Sequence, residues 1–296
     1  MIIEDQTAVT PAVLQAMAGA DNPRLKEIME SLVRHLHAFA REVHLTEEEF
    51  DAGIEFLIGL GQKTTATHNE AILFSDAIGF STLVCLQNSG NGRTESLAAL
   101  LGPFWRATAP EAANGDDIVR SPTPGPALFV SGRVLDPEGK PVEGAIVDVW
   151  HASPVGLYEN EDPGQTDMNL RGKFRTDAEG RYEFRSVMPA GYPVPTHGPV
   201  GKLLAAQNRH PYRPAHVHFM VVAPGYKTLV TQVFVADDPN LDSDVVFGVT
   251  RPLIGDYRRH DDGTPPAPDV ALPWYTLERD FTLEPGESKL PHPPIA

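Results

Sequence analysis

Arg213-Pro-Ala-His216-Val-His218-Phe-Met-Val-Val222 is the stretch from which the rest of the chain is best read. Two histidines stand two residues apart in an apolar, β-branched and aromatic run, which predicts a β-strand. Side chains at i and i+2 of a strand share a face, so both imidazoles can reach one metal ion. Imidazole nitrogen is a ligand for Zn, Fe, Cu and Ni, which makes His216 and His218 candidate metal ligands; a hydrogen-bonded pair on a sheet face is the plainer alternative. His35-Leu-His37 has the same spacing in helical surroundings, where Leu25, Ile28, Met29, Leu32, Val33, Leu36, Phe39 and Val43 recur at steps of three and four. On a helix, i and i+2 diverge by roughly 200°, so His35 and His37 are read as ordinary helix residues.

Working outward, the first hundred residues read as helical. Asn22-Pro23 is a helix start with proline at the first position. Thr46-Glu-Glu-Glu49 fits a capping box before Phe50, Ile54, Leu57 and Ile58. A third helix is expected from about Asn69 to Leu86, with Gly79 inside it, then a break at Asn88-Ser-Gly-Asn-Gly92 and a short helix from Thr94 toward Leu101. Beyond Gly125 short alternating strands take over: Leu128 to Leu135, Ala145 to Trp150, Lys173 to Thr176 and Arg181 to Phe184 as a hairpin-like unit around Asp177-Ala-Glu-Gly180, His216 to Val222, Leu229 to Val235, and Asp280-Phe-Thr-Leu283 closing the sheet. Most of the 28 prolines and 25 glycines lie in this half, as a loop-rich β architecture requires. The fold class is therefore mainly β with an α-helical N-terminal part: residues 1–110 helical, residues 111–296 a β-sandwich.

Composition narrows the function. The 296 residues suit one large domain or two modest ones, and 41% hydrophobic with 22% charged residues is ordinary for a globular protein. A net charge of −16 argues against a polyanionic partner such as nucleic acid. No run of about 18 apolar residues is present, so no membrane insertion is expected. Met-Ile-Ile-Glu-Asp-Gln at the start lacks the pattern of a secretory signal. Cys85 is the single cysteine, which excludes an intrachain disulfide and is read as a small buried hydrophobe. A cytoplasmic location is the expectation.

Val147-Asp-Val-Trp150, Gly156-Leu-Tyr158, Gly191-Tyr192-Pro-Val-Pro195, Arg213-Pro-Ala-His216-Val-His218-Phe219, Ala223-Pro-Gly-Tyr226 and Thr231-Gln232 occur in this order. Together they resemble the intradiol ring-cleavage dioxygenases, and the resemblance runs over almost the whole chain. Leu32-Val-Arg-His-Leu-His37, Leu45-Thr-Glu-Glu-Glu-Phe50 and Leu101-Gly-Pro-Phe104 are similar to the helical N-terminal part of the hydroxyquinol and catechol 1,2-dioxygenases. His197-Gly-Pro-Val-Gly-Lys-Leu-Leu204, Arg209-His-Pro-Tyr-Arg-Pro214 and Leu241-Asp-Ser-Asp-Val-Val-Phe-Gly-Val249 lean toward the hydroxyquinol branch, whereas Leu100-Leu-Gly-Pro-Phe-Trp105 and Tyr158-Glu-Asn-Glu-Asp162 depart from its commonest forms.

The resemblance implies one non-haem Fe(III) per subunit, held by Tyr158, Tyr192, His216 and His218. Two phenolates are hard anionic donors suited to a trivalent ion, and a phenol with a reference pKa of about 10 needs a strong Lewis acid to stay ionised. The implied reaction joins O2 to an aromatic diol and opens the ring between adjacent hydroxyls to a muconate dicarboxylate. Tyr192 is the ligand that leaves and takes a substrate proton, Arg213 is the cation beside the ring, and Gln232 is a polar group that orients a ligand or intermediate. The substrate pocket falls on Leu73, Asp76, Leu100, Leu101, Gly102, Pro103, Phe104 and Val246. Asp76 could accept a hydrogen bond from a third ring hydroxyl, as in hydroxyquinol, and Val246 leaves more room than an aromatic side chain; catechol or a substituted catechol is the alternative substrate. The family also implies a homodimer through the N-terminal helices with a phospholipid at its interface. Two other classes compete: a non-catalytic prealbumin-like binding module, suggested by Gly132-Arg-Val-Leu-Asp-Pro-Glu-Gly-Lys-Pro-Val-Glu-Gly-Ala145, and a zinc hydrolase, which would use His, Asp, Glu or Cys ligands and an open water position.

Overall fold

The computed structural model describes residues 2–65, 68–89 and 96–295. Its helices are α1 Gln6–Ala16, α2 Pro23–Glu42, α3 Glu47–Lys63, α4 Glu70–Ala77, α5 Phe80–Asn88 and α6 Pro199–Ala206. The strands are β1 Glu111–Ala112, β2 Ala127–Leu135, β3 Ile146–Trp150, β4 Arg171–Arg175, β5 Arg181–Val187, β6 Tyr192–Pro193, β7 Tyr212–Arg213, β8 His216–Val222, β9 Leu229–Val235, β10 Ile254–Gly255, β11 Tyr257–His260, β12 Trp274–Glu278 and β13 Phe281–Thr282. Two compact units divide the chain, residues 1–58 and 59–296, so α4 and α5 fall in the unit that carries the sheets.

In the first unit the caps read from sequence are present. Asn22 Oδ1 accepts from the backbone N–H groups of Arg24 and Leu25, each at 3.0 Å. Thr46 and Glu49 form the reciprocal box: Thr46 N donates to Glu49 Oε2 at 2.9 Å and Glu49 N to Thr46 Oγ1 at 3.2 Å. His37 Nδ1 pairs with Thr10 Oγ1 at 2.9 Å, the ordinary helix-surface role expected of it. The apolar stripe of α2, from Leu25 through Leu32 and Leu36 to Val43, is exposed in the single chain.

The second unit is a β-sandwich. One sheet runs β1-β4-β3-β8-β9-β10; the other runs β11-β12-β2-β13, with β5 also pairing with β2. Between them lies a core to which both contribute, including Val147, Phe174, Phe219 and Val233 from the first sheet and Val130, Phe184, Leu277 and Phe281 from the second. The period of two fixes what happens on the other side of the first sheet. On β8, Val217, Phe219 and Val221 enter the core, which turns His216, His218 and Met220 to the opposite face; on β3, Val147 and Val149 enter it, which turns Asp148 and Trp150 the same way as the histidines. That face is itself covered, so every residue of β8 from His216 to Val221 is buried.

Four expectations are corrected. The helix expected over Asn69–Leu86 is two helices, α4 and α5, bent by 78° at Gly79, whose φ of 73° is the left-handed conformation that suits glycine. Lys173–Thr176 and Arg181–Phe184 do not make a hairpin: β4 pairs with β3 and β5 with β2, so the Asp177–Gly180 turn carries the chain from one sheet to the other. Residues 96–100 are not helical, because their backbone bonds to the sheets instead: Ser96 N donates to Thr282 O at 2.9 Å and Ala99 N to Val230 O at 2.8 Å. Thr94 and the turn glycines Gly90 and Gly92 lie outside the described residues. Cys85 is half-buried rather than buried, with Sγ 3.9 Å from Ser89 Oγ. Among the described residues no single helix is long and apolar enough to cross a membrane; the bent pair α4 and α5 passes only by combined length and composition.

Candidate active site

The site is built on the outer face of β8. His216 Nε2 lies 3.0 Å from His218 Nε2, as the strand period requires. Pro214 O accepts from His216 Nδ1 at 2.7 Å, which fixes the tautomer and leaves Nε2 as a lone pair. Trp150, opposite His218 in the β3–β8 register, stacks on the His218 ring at 4.7 Å and 10°. Tyr158 comes from the loop after β3 and Tyr192 from β6, and their hydroxyl oxygens are 3.4 Å apart. Phe104 stacks on Tyr158 at 4.3 Å, and the Tyr192 ring centroid is 5.6 Å from that of His216.

Charged groups are held close behind. β6 pairs with β7, which puts Arg213 opposite Tyr192. Arg213 Nη1 is 3.3 Å from His216 Nε2, and Nη2 donates to Gln232 Oε1 at 2.9 Å. Asp244 closes the other side of the guanidinium, accepting from Nε and Nη2 at 3.1 Å each. Gln232, opposite His218 in the β8–β9 register, donates to Leu100 O at 2.7 Å and so ties the 97–104 segment to the sheet. Beneath Tyr158, Arg171 pairs with buried Glu159 at 2.6 Å and donates to Phe104 O at 2.6 Å.

A narrow cavity adjoins these groups. Tyr192 and Arg213 line it together with Leu73, Asp76, Leu100, Gly102, Pro103, Phe104 and Val246, all of which the sequence placed at a pocket. Leu101 is not on its wall; it packs instead against the aromatic cluster of Phe104, Trp105, Trp150, Tyr158 and Tyr192. Val194 and Pro195 also line the cavity, and Asp244 holds Arg213; sequence reasoning assigned none of the three a role. Their signals were position alone: Val194 and Pro195 follow Tyr192 directly, and Asp244 is one acid within Leu241-Asp-Ser-Asp244.

The electrostatics suit a highly charged cation. Burial pushes both histidines well below the ordinary imidazole range, with the Arg213 charge adding to it, so both stay neutral and ready to ligate. Burial raises the Tyr158 hydroxyl well above its usual value, with Tyr192 adding to the effect, and burial raises Tyr192 as well. Two buried phenols this close ionise together only beside a strong Lewis acid. Among the described residues His218 Nδ1 is buried without a hydrogen-bond partner, while the ring stacks on Trp150. Two imidazoles and two phenols are therefore the donors that could hold a ferric ion. Arg213 is raised above the ordinary guanidinium value: burial opposes the charge, but Asp244, together with Tyr192 and Tyr158, outweighs it.

Two known protein families match the chain. The family described as "Dioxygenase" matches residues 100–284, and "Catechol dioxygenase N terminus" matches residues 22–94. The chain belongs to the intradiol ring-cleavage dioxygenases. As an intradiol dioxygenase it is a non-haem Fe(III) enzyme with one iron per subunit, acting on a catecholic or hydroxyquinol-type substrate with O2. It is similar to 6-chlorohydroxyquinol 1,2-dioxygenase of Cupriavidus pinatubonensis, 44% identical over 95% of this chain and 98% of the relative. It is also similar to hydroxyquinol 1,2-dioxygenase of a Rhizobium species, 44% identical over 95% of both. The solved structure of hydroxyquinol 1,2-dioxygenase from Pseudomonas putida superposes with a TM-score of 0.86, at 41% identity, covering 95% of this chain and 99% of that one. Neither the prealbumin-like module nor the zinc hydrolase survives this membership.

Proposed function

We propose that this dioxygenase cleaves hydroxyquinol (1,2,4-trihydroxybenzene) between its two adjacent hydroxyls, giving 3-hydroxy-cis,cis-muconate, the tautomer of maleylacetate. The observation that carries the reading is a buried carboxylate, Asp76, in a cavity otherwise walled mainly by apolar groups and shared with Tyr192 and Arg213. A carboxylate there matches a ring with a third hydroxyl, and the relatives named for hydroxyquinol or its chloro derivative support it. Catechol or a substituted catechol, giving cis,cis-muconates, is the second reading, favoured by the apolar character of Leu73, Leu100 and Val246.

In this reading Tyr158, Tyr192, His216 and His218 hold the Fe(III). When bound, the ion supplies the Lewis acidity that keeps phenols and diol ionised and draws electron density from the ring. Tyr192 accepts a proton from a substrate hydroxyl. Tyr158, stacked on Phe104 and lying over Arg171, stays in place. Arg213 stabilises negative charge on the ring carbon, while Asp244 and Gln232 fix its plane. Gln232 also sets the height of Leu100 over the ring through its carbonyl. The apolar wall excludes water while the ring carbon reacts.

Residues 1–110 are proposed as the dimerisation part and 111–296 as the catalytic part. The exposed stripe of α2 fits a homodimer interface, with phospholipid bound there, in a cytoplasmic enzyme. Sedimentation equilibrium tests the dimer; mass spectrometry of an organic extract that finds no phospholipid removes the lipid. Steady-state O2 uptake on hydroxyquinol and catechol, with product identification, tests the substrate; a higher kcat/KM for catechol overturns the preference.

A further inference from the structure

We propose that Arg209, which does not line the cavity, is a positioning residue that sets how the enzyme discriminates between ring-substituted and unsubstituted diols. It does so by fixing Asp76 and Val246 relative to each other. The proposal rests on the reading that the cavity beside Tyr192 takes the substrate ring.

Arg209 follows α6, where Asn208 at φ 54° ends the helix and Arg209 N donates back to Leu204 O at 2.9 Å. Its guanidinium reaches two carbonyls on different segments. Nη1 donates to Ala77 O at 2.7 Å and Nη2 to Val245 O at 2.8 Å. Ala77 follows Asp76 and Val245 precedes Val246, and Asp76 and Val246 are both cavity walls. One rigid planar fork therefore sets the spacing between the end of α4 and the 245–247 loop.

The surroundings hold that fork in place. The Phe247 ring lies under Arg209, with Cζ 4.9 Å from its centroid. Phe247 has φ 56°, an unfavourable conformation for an aromatic residue, and is retained by its N–H bond to Asp244 O at 2.9 Å. A Cβ added at Gly79 would meet Phe247 Cδ2 at 3.2 Å, so the bend between α4 and α5 closes onto the same ring. Thr82 Oγ1 donates to Val246 O at 2.9 Å from the far side of that bend. At the opposite end of α4, buried Glu70 accepts from Val200 N at 2.9 Å, at the start of α6. Helix α4 is thus tied to the α6 segment at both ends, and the tie at its Asp76 end is Arg209.

A lysine at 209 keeps the charge but donates from a single point, so it does not hold both carbonyls at the fork's spacing. The test compares wild type, Arg209→Ala, Arg209→Lys and Asp76→Ala for kcat/KM on hydroxyquinol and on catechol, with iron content and visible absorbance as controls. The expected result is that both Arg209 variants keep their iron and colour and their catechol kcat/KM to within about twofold, while the hydroxyquinol-to-catechol ratio shifts about tenfold. Added guanidinium should move the ratio of Arg209→Ala back toward wild type. If Arg209→Ala does not fold or loses iron, Arg209→Lys decides by the same ratio. An unchanged ratio, or an equal fall on both substrates, overturns the proposal. If Asp76→Ala shifts the ratio and the Arg209 variants do not, the role of Arg209 alone is lost; if Asp76→Ala leaves it unchanged as well, the reading of the cavity fails with it.

Discussion

Tyr158 and Tyr192 meet edge to face with their hydroxyl oxygens 3.4 Å apart, although 34 residues separate them in the chain. Their surroundings differ. Tyr158 is clamped between Phe104 and the Arg171 guanidinium, whereas Tyr192 sits on a two-residue strand at the cavity wall, opposite Arg213.

That asymmetry assigns different outcomes to the two phenylalanine variants. Tyr158→Phe should lose most bound iron and its visible absorbance. Tyr192→Phe should keep part of both and lose about a hundred- to ten-thousandfold in kcat, the usual range for a missing proton acceptor. Iron analysis and stopped-flow turnover read both; the opposite pattern would exchange the roles.

His216→Ala and His218→Ala should each abolish iron retention and the phenolate-to-iron colour, because either leaves one of the two imidazoles proposed to hold the ion. Metal analysis of the purified variants is the check. Wild-type iron content in either would remove that residue from the ligand set.

Asp244→Ala should destabilise the protein by about 3–5 kcal/mol, since it strands the buried Arg213 guanidinium. Asp244 also accepts from Gly248 N at 3.0 Å, so the 245–248 loop should loosen with it. Denaturant unfolding of the iron-loaded protein measures the loss; a change under about 1 kcal/mol would mean the charge is satisfied elsewhere.

Burial pushes Asp76 up to about 6, against the hydrogen bond from Ser81, which lowers it. Above that pH the group is a charged acceptor, worth about 1.5–3 kcal/mol to a third ring hydroxyl, or roughly ten- to a hundredfold. The hydroxyquinol-to-catechol ratio should therefore be high above about pH 6 and fall as pH drops through it. Asp76→Ala should lower hydroxyquinol cleavage by that factor with little effect on catechol, and should flatten the pH dependence of the ratio. A ratio that rises on acidification would show that the neutral acid is the binding form.

Much of the site was legible because strand geometry is local. His216 and His218 share a face for a reason visible in seven residues, and the helical spacing around His35 and His37 excluded the false match. Tyr158 and Tyr192 carry no such local signal; only the ordered motifs of the family brought them in. Connections that depend on distant partners were misread. The turn at Asp177–Gly180 has hairpin chemistry, yet β4 and β5 find different sheets, and residues 96–100 exchange helix bonds for bonds to Thr282 and Val230. Asp244 looked like one acid among several because its partner, Arg213, is 31 residues away.

Both β12 and β13 lie parallel to β2, pairing Tyr275 with Leu128 and Phe281 with Val134, and the chain steps between them past Gly132, where a Cβ would stand 1.8 Å from Arg279 O. The four proposed iron donors leave the ribosome before this seam does. Until it closes, β2 offers an open strand edge and the sandwich lacks Leu277 and Phe281 from its interior. Newly made chains therefore pass through an interval in which the proposed iron donors exist but their scaffold is unsealed. A chain truncated before Trp274 would remain in that state, prone to pair with its own copies.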